Sequence, residues 1–458
     1  MNKLKTELLK KLDSRKVIFE KDVLAGYAQD ETSDLSFKPD ILVRAENASD
    51  VQEILILCSK YKIPLTPRGG GTGVTGGAVP VKGGLVLSLE KMNKIIEIDK
   101  ANMVAVVEPG VILADLQEKL AESGLMYPPD PASFESCSIG GNVAENAGGA
   151  KAVKYGVTKD YILGLEFVLP NGEVIQTGGK FIKNATGYNL TGLLLGSEGT
   201  LAIITKIFLK LIPLTRFFKD FLIPFISLQE AIESVNIILA SQIQPTVIEF
   251  MEEGVIKLVA EYGGVKVPFS EGAAYLLIQF DGNNEDYIWE EVKRLVTVLK
   301  IDQNQIIVAE TKKQRENLWK IRRSIRESIK KKSPIFFAED SVLPRSEIPK
   351  FVEWIEPTLA EKGVESLVFG HAGDGNLHIN ILKNDLDYQK WLKLVPEIKK
   401  IIYKKVVALG GTISGEHGIG FLRKDYLSLA LSKEEIELSK KIKGVFDPDL
   451  ILNPNKIF

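Results

Sequence analysis

The sequence predicts an α+β fold, and three observations carry that prediction. From Asp40 onward, helical and strand-like patterns alternate regularly. Two long Gly-rich stretches without periodicity interrupt that alternation, at 68–77 and 127–156. The pattern then changes near Ile212-Pro213, beyond which helices and strands alternate again to about residue 380. A chain of 458 residues suits two or three domains.

Residues 1 to about 34 read as an amphipathic helix followed by a polar loop. "DILVRA" is strand-like. "NASDVQEILILCSKYK" opens on capping residues and spaces Val51, Ile54, Leu55 and Cys58 as one helical face. "IPLTPRGGGTGVTGGAVP" is a loop, because Pro and Gly forbid regular structure there. "GLVLSL", "IIEID" and "MVAVVEP" are strands, and "LADLQEKLAESG" is a helix ending in Gly. "YPPDPASFESCSIGGNVAENAGGAKAVKYG" shows little periodicity. "ILGLEFVLPNGEVI" is a strand–turn–strand on Asn171-Gly172. The division expected is a helical segment at 1–36, a first domain at 37–214, a second at 215–410 and a C-terminal helical segment at 411–458.

The bulk numbers exclude several classes. Hydrophobic residues make up 45% and charged residues 26%, as in ordinary soluble globular proteins. A net charge of −2 gives no reason to expect a nucleic-acid partner. Two cysteines, Cys58 and Cys137, with no CxxC, leave no iron–sulfur cluster or Cys-ligated zinc site on this chain. The N-terminus has no apolar core of a signal peptide, and no run approaches the ~18 apolar residues of a membrane span. The expected location is the cytoplasm, with a partner able to hold the protein at a membrane.

"GTGVTG", Gly71 to Gly76, matches a dinucleotide fingerprint literally. That motif needs a helix opening at its end, and here "GAVPVKGGLVLSL" follows, so the Rossmann reading fails. Gly-dense loops still suit phosphate, since successive N–H groups can turn into one concavity. A plain surface loop is the competing reading. Two such stretches in one αβ region favour a large polar cofactor surrounded by backbone amides.

All three histidines lie in two short Gly-rich stretches, "FGHAGDGNLHIN" and "GGTISGEHGIG". "SLVFG" reads as a strand with His371 at its end, and "LHINI" as the returning strand with His378 and Asn380 on one face. Such a hairpin brings His371 and His378 together. Glu416 and His417 add a carboxylate and a third imidazole. Two histidines and a carboxylate suit Zn, Fe or Mn with open positions; for any one histidine alone, an ordinary hydrogen-bonded side chain is the simpler reading. "NLWKIRRSIRESIKKK" places Arg322 and Arg326 on one helical face at i, i+4, or else forms a solvated basic face.

"PLTPRGGGTGVTGG", "PPDPASFESCSIGGNVAENAGGAKAVKYG", "GSEGTLAIITKI" and the tail "FDPDLILNPNKIF" resemble the vanillyl-alcohol oxidase/p-cresol methylhydroxylase superfamily. Within it the chain is similar to the branch of glycolate oxidase D-subunits, D-lactate dehydrogenases and D-2-hydroxyglutarate dehydrogenases. The resemblance runs from about Phe37 to Phe458. It implies a two-lobed PCMH-type FAD-binding domain, a ferredoxin-like α+β substrate domain, and a C-terminal segment that completes the active site. Arg68, Gly69, Gly70, Gly71, Thr72, Gly73 and Thr75 would cradle the pyrophosphate. Pro129, Ser136, Cys137, Ser138, Gly140, Gly141, Asn142, Asn146, Gly148, Gly149 and Gly156 would line the rest of the FAD. Glu198, Gly199 and Ile204 would sit at its adenine–ribose end. No histidine precedes residue 371, so attachment of FAD through a histidine of the first domain is impossible and non-covalent FAD is expected.

By the same resemblance, His371, His378 and Glu416 would hold a divalent metal, and His417 would be the general base. Asn380, Arg322 and Arg326 would bind the substrate; Arg326 departs from the family pattern, and a second arginine there suits a substrate with an extra anionic group. The implied reaction is oxidation of a D-2-hydroxy acid to the 2-oxo acid by metal-assisted proton abstraction and hydride transfer to flavin N5. Ala338 stands where D-2-hydroxyglutarate members carry a lysine, which favours D-lactate or glycolate. The alternatives are a D-2-hydroxyglutarate dehydrogenase, a non-catalytic electron-conduit subunit of a larger oxidoreductase, and a poorer match to alkyl-glycerone-phosphate synthesis. The electron acceptor is open among an iron–sulfur subunit, an electron-transfer flavoprotein and a quinone. The oligomeric state is open, a homodimer included.

Overall fold

In the computed structural model, which describes residues 1–265 and 272–458, short strands of two to four residues make the first sheet. Its strands are β1 (Val17–Ile18), β2 (Ile41–Arg44), β3 (Leu65–Arg68) and β4 (Leu85–Ser88), in the order β1-β2-β4-β3. β2 and β3 both run parallel to β4. Parallel neighbours need a crossover, and the helix Ala48–Tyr61 supplies the one from β2 to β3. Asn47 caps that helix by accepting the Asp50 N–H at 2.9 Å, and its face of Val51, Ile54, Leu55 and Cys58 is buried. Leu4 and Leu8 of the N-terminal helix pack into the same core.

A second sheet is wholly antiparallel. It contains β5 (Ile95–Asp99) and β6 (Val104–Val107), and, beyond the short β7 (Leu125–Met126), β8 (Ile162–Val168), β9 (Val174–Gly178) and β10 (Ile203–Lys210). The order is β5-β6-β10-β8-β9. β11 (Ile212–Pro213) pairs with β7. The β8–β9 hairpin turns at Asn171-Gly172, where Gly172 takes a φ of +87°.

These two sheets belong to one compact unit formed by Met1–Gly148, Val157–Leu214 and Glu416–Phe458. The tail is threaded into it. Leu452 bridges to Leu65, the Asn453 side chain donates to the Gly77 and Glu198 carbonyls at 2.9 and 2.8 Å, and the Lys456 ammonium donates to the Val79 carbonyl at 2.7 Å.

The second unit comprises Gly149–Gly156 and Thr215–Gly415. Its strands are β12 (Phe217–Phe225), β13 (Val247–Glu252), β14 (Ala274–Gly282), β15 (Ile307–Ala309), β16 (Phe336–Val342), β17 (Glu365–His371) and β18 (Asn376–Leu382). They form a single antiparallel sheet ordered β15-β12-β14-β13-β17-β18-β16. The segment Gly149–Gly156 joins this unit because Asp281 on β14 holds it. The buried Asp281 carboxylate accepts from Lys154 at 2.5 Å, from the Tyr155 hydroxyl at 2.9 Å and from Thr246 at 2.5 Å. In sequence this segment falls within the expected first domain, 37–214.

Strand register puts a polar row on one face of the sheet. Asp220 lies opposite Gln279, Glu249 opposite His371, and Asp340 opposite His378. Alternation of side chains then sends Phe250, Ile278 and Ile379 to the other face. There Glu339 is buried against the helix Tyr388–Ala408, paired with Lys399 at 3.0 Å and with the Tyr403 hydroxyl.

Glu252, at the end of β13, accepts the Val368 N–H at 2.7 Å. Burial, with Glu356 and Glu365 adding to it, pushes its carboxyl up to about 8. A carboxyl raised on folding stabilises the fold fully below its unfolded value, near 4.5, and loses that contribution as pH rises through 8. Glu252→Gln is therefore expected to leave stability at pH 5 nearly unchanged and to raise the melting temperature by several degrees at pH 9. Melting curves of both proteins at the two pH values check this, and equal shifts at both would contradict it.

Candidate active site

In the first unit, the Gly-rich loops press against one another. A Cβ on Gly69 would fall 2.1 Å from Ser138 Oγ, and one on Gly70 would fall 2.3 Å from the Ser136 carbonyl oxygen. Only glycine permits that approach. The stretch read as non-periodic contains a helix, Ile139–Glu145. Ser138 caps it, accepting the Gly141 N–H at 3.2 Å, while Ile139 and Val143 bury its apolar side. Gly140 lies so close to Pro109 that a Cβ would be 2.5 Å from that ring.

A cavity of about 380 Å³ opens beside these loops, walled by Tyr27, Arg68, Gly69, Gly70, Glu90 and Ser138. Arg68 reaches back to donate to the Gln29 carbonyl at 2.8 Å and stacks over Tyr27. Two buried polar atoms in the helix behind the loops, Asn142 Nδ2 and Glu145 Oε2, have no protein hydrogen-bond partner. Burial and the neighbouring Glu198 raise the Glu145 carboxyl. A backbone cradle that side chains would fill, with orphaned polar groups behind it, fits a large phosphate-bearing cofactor.

Other expected cofactor residues hold the loops in place. Asn146 adopts a φ of +53° and accepts the Lys159 N–H at 2.9 Å. The Glu198 carboxylate takes the N–H groups of Ile419 and Gly420, each at 2.7 Å, so it clasps the loop that follows His417. Cys137 is a buried, free thiol that burial pushes up. Ile204 is buried on β10, opposite Phe167.

Glu416 and His417 belong to this same unit. A Cβ on Gly148 would meet Glu416 Oε2 at 2.8 Å, and Thr75 Oγ1 donates to the His417 carbonyl at 3.4 Å. The chain thus seats its Glu-His pair against Thr75 and Gly148, two residues that the family resemblance leads one to expect at the cofactor.

In the second unit, β17 and β18 form the expected hairpin, with His371↔Asn376 and Phe369↔His378 as direct pairs. Its imidazoles meet edge to face with centroids 5.2 Å apart, and the two Nε2 atoms are 3.4 Å apart. A tetrahedral ion with M–N bonds of about 2.0–2.1 Å needs its ligand atoms roughly 3.3–3.4 Å apart, so the pair already spans one edge of such a site. Behind it lies Glu249, fully buried. Its Oε1 bonds to His371 Nδ1 and its Oε2 accepts from Arg322 Nε at 2.5 Å. Burial pushes this carboxyl up, but Arg322 and His371 more than reverse that and hold it at about 2.

Asp340 anchors the neighbouring loop. One oxygen accepts from Asn376 Nδ2 at 2.6 Å, and the other from Ser414 Oγ and the Gly415 N–H, each at 2.9 Å. Gly415 is the residue before Glu416. Asn380 lies on the same strand face as His378 but is 3% exposed, with its amide toward the Leu367 carbonyl at 3.4 Å. Ala338 stands directly opposite Asn380. The single basic helix expected from sequence is two helices, Lys312–Arg323 and Ile325–Lys332, meeting at Ser324, with Arg322 on the first and Arg326 on the second. Sequence reasoning missed Glu249 and Asp340. The available signal was carboxylates inside otherwise apolar strand segments, "TVIEFME" and "FFAEDSVLP", since an acidic residue is almost never fully buried without a partner.

Residues 39–178 match the family model for an FAD binding domain, and 219–457 match that for the C-terminal domain of FAD linked oxidases. The chain belongs to the FAD-linked oxidases. This FAD-linked oxidase is 40% identical to the glycolate oxidase subunit GlcD of Bacillus subtilis (strain 168), over 94% of the chain and 92% of that relative. It is 37% identical to a D-lactate dehydrogenase of Anaerostipes hadrus, over 100% and 98%. With a D-2-hydroxyglutarate dehydrogenase of Stutzerimonas stutzeri (strain A1501) the identity is 33%, over 99% and 98%. Its fold is that of p-cresol methylhydroxylase, with a TM-score of 0.81 at 21% identity, covering 100% of this chain and 96% of that one. The α+β reading and the PCMH-type flavin domain are thereby shown. Among the described residues no helix of this oxidase is long and apolar enough to cross a membrane.

Proposed function

We propose that this FAD-linked oxidase oxidises a small D-2-hydroxy acid, D-lactate or glycolate, to the corresponding 2-oxo acid. The observation that carries the reading is the His371–His378 pair, backed by a buried Glu249 that also grips Arg322. An imidazole pair spanning a metal edge, beside an arginine, suits a substrate that presents a hydroxyl and a carboxylate on adjacent carbons. The curated relatives named above support the same substrate class.

Bound FAD supplies the acceptor for the two electrons of the C–H bond that is oxidised. His371 and His378 with Glu416 would hold a divalent ion, Zn, Fe or Mn, which would supply a Lewis acid for the substrate hydroxyl. Arg322 binds the substrate carboxylate through its Nη groups. His417 takes the hydroxyl proton on an imidazole nitrogen. Asn380 orients the substrate through its amide. The loop residues 68–75 would cradle the FAD pyrophosphate, and residues of 129–156 would line the rest of the cofactor.

Ala338 offers no charge to a second substrate carboxylate, which separates this reading from that of a D-2-hydroxyglutarate dehydrogenase. Both cysteines of the chain are buried and free, so electrons leave through a separate acceptor: an iron–sulfur subunit, an electron-transfer flavoprotein or a quinone. Location in the cytoplasm, at a membrane only through such a partner, follows from this reading. A dye-linked assay over D-lactate, glycolate and D-2-hydroxyglutarate, before and after chelation and metal return, tests it. Turnover on the first two that chelation abolishes and metal restores is expected. A clear preference for D-2-hydroxyglutarate, or indifference to chelation, would overturn it.

A further inference from the structure

We propose that Glu249 is a positioning residue that sets the metal-binding face of His371 and the substrate-binding face of Arg322 from one carboxylate. The inference rests on the metal and substrate roles proposed above and assigns to them a residue that the sequence motifs do not reveal.

The geometry leaves Glu249 little freedom. It lies directly opposite His371 in the β13–β17 ladder and is 0% exposed. Each of its oxygens holds a different partner, His371 Nδ1 on Oε1 and Arg322 Nε on Oε2. A carboxylate can only accept hydrogen bonds. Nδ1 of His371 therefore carries the proton, and the lone pair is left on Nε2, the atom 3.4 Å from His378 Nε2. The same bond fixes the rotation of the ring. A ligating imidazole oriented in this way by a buried carboxylate is a more basic and better-aimed donor.

On the other side, Glu249 takes Arg322 by its Nε edge and does not consume the Nη groups, which alone form the planar fork that suits a carboxylate. Phe369 lies under the guanidinium, 4.6 Å from its carbon to the ring centroid, and stops it from swinging away. One negative charge thus serves two groups of opposite task, and loss of Glu249 disturbs both. A structural ion pair between Glu249 and Arg322 would need neither the His371 bond nor the aim of Nε2 at His378.

Two variants and one spectrum test this. Glu249→Gln keeps the volume but has a single acceptor oxygen, so one partner must lose its bond. Glu249→Asp keeps the charge on a shorter stem. In FAD-loaded protein, Glu249→Gln is expected to weaken Zn2+ binding by roughly 10–100-fold and to raise KM for the hydroxy acid, and Glu249→Asp to recover part of both. The chain has three histidines, so a 15N imidazole spectrum of the metal-free protein resolves each, with His371→Ala assigning its signal. The expected wild-type signal is a single fixed tautomer protonated on Nδ1, lost in Glu249→Gln. A wild-type His371 protonated on Nε2, or Zn2+ affinity unchanged in Glu249→Gln, would overturn the inference. A fixed Nδ1–H tautomer in a wild-type protein that binds neither Zn2+ nor Mn2+ would support the hold of Glu249 on His371 and overturn the proposed metal site instead.

Discussion

Replacing His371 with alanine is expected to remove bound metal and turnover together while FAD stays in place. Most of the loop residues expected to hold FAD, 68–75 and 136–148, belong to a different unit of the chain from His371, so the flavin spectrum should survive the change. The fold should survive as well, because Glu249 keeps Arg322 as a charge partner at 2.5 Å and the buried carboxylate is not left alone. The loss falls on chemistry. A Lewis acid on a reacting oxygen is worth several kcal/mol, and each ~1.4 kcal/mol is a tenfold change in rate, so turnover should fall on the order of 10³-fold or more. Metal content, the visible spectrum and dye-linked turnover measured on one preparation check the three parts. Turnover within tenfold of wild type would remove the metal from the reaction.

Replacing Arg322 calls for two substitutions with different expected outcomes. Arg322→Ala leaves the fully buried Glu249 with His371 alone, and removing one partner of a buried pair costs roughly 3–5 kcal/mol. A stability loss in the second unit is expected to dominate that variant and to obscure its kinetics. Arg322→Lys keeps the positive charge for Glu249 but cannot grip Glu249 and present a planar fork to the substrate at once. Loss of a charge-assisted hydrogen bond, about 1.5–3 kcal/mol, then appears as a KM higher by roughly 10–100-fold, with metal content unchanged. Steady-state kinetics on Arg322→Lys decide the matter, and an unchanged KM would take Arg322 out of the substrate site.

Local signals made much of the fold legible in the sequence. The His371–His378 hairpin follows from period-2 alternation on both sides of "AGDGN", and the strand–turn–strand at Asn171-Gly172 from its turn chemistry. The Rossmann fingerprint failed for a reason visible in sequence, and the structure carries the chain from the "GTGVTG" loop to β4 without a helix. Features that depend on distant parts of the chain were not legible. Glu249 and His371 are 122 residues apart and become neighbours only through the β13–β17 register. The helix Ile139–Glu145 carries two glycines and has poor intrinsic propensity, so its cap and its burial decide it. The break at Ser324 hides within a run of good helix formers. Gly149–Gly156 closes the Gly-rich stretch 127–156 in sequence, and the buried Asp281 draws it into the other unit.

The most direct measurement is anaerobic reduction of the flavin. FAD- and metal-loaded protein is mixed, without any electron acceptor, with D-lactate, L-lactate, glycolate and D-2-hydroxyglutarate in turn, and the absorbance near the flavin maximum is followed. Rapid bleaching by D-lactate or glycolate, little by L-lactate, and slowing after metal removal are predicted. A flavin that stays oxidised with every one of these acids, although FAD and metal are both bound, would contradict the assignment of this protein as a D-2-hydroxy acid dehydrogenase.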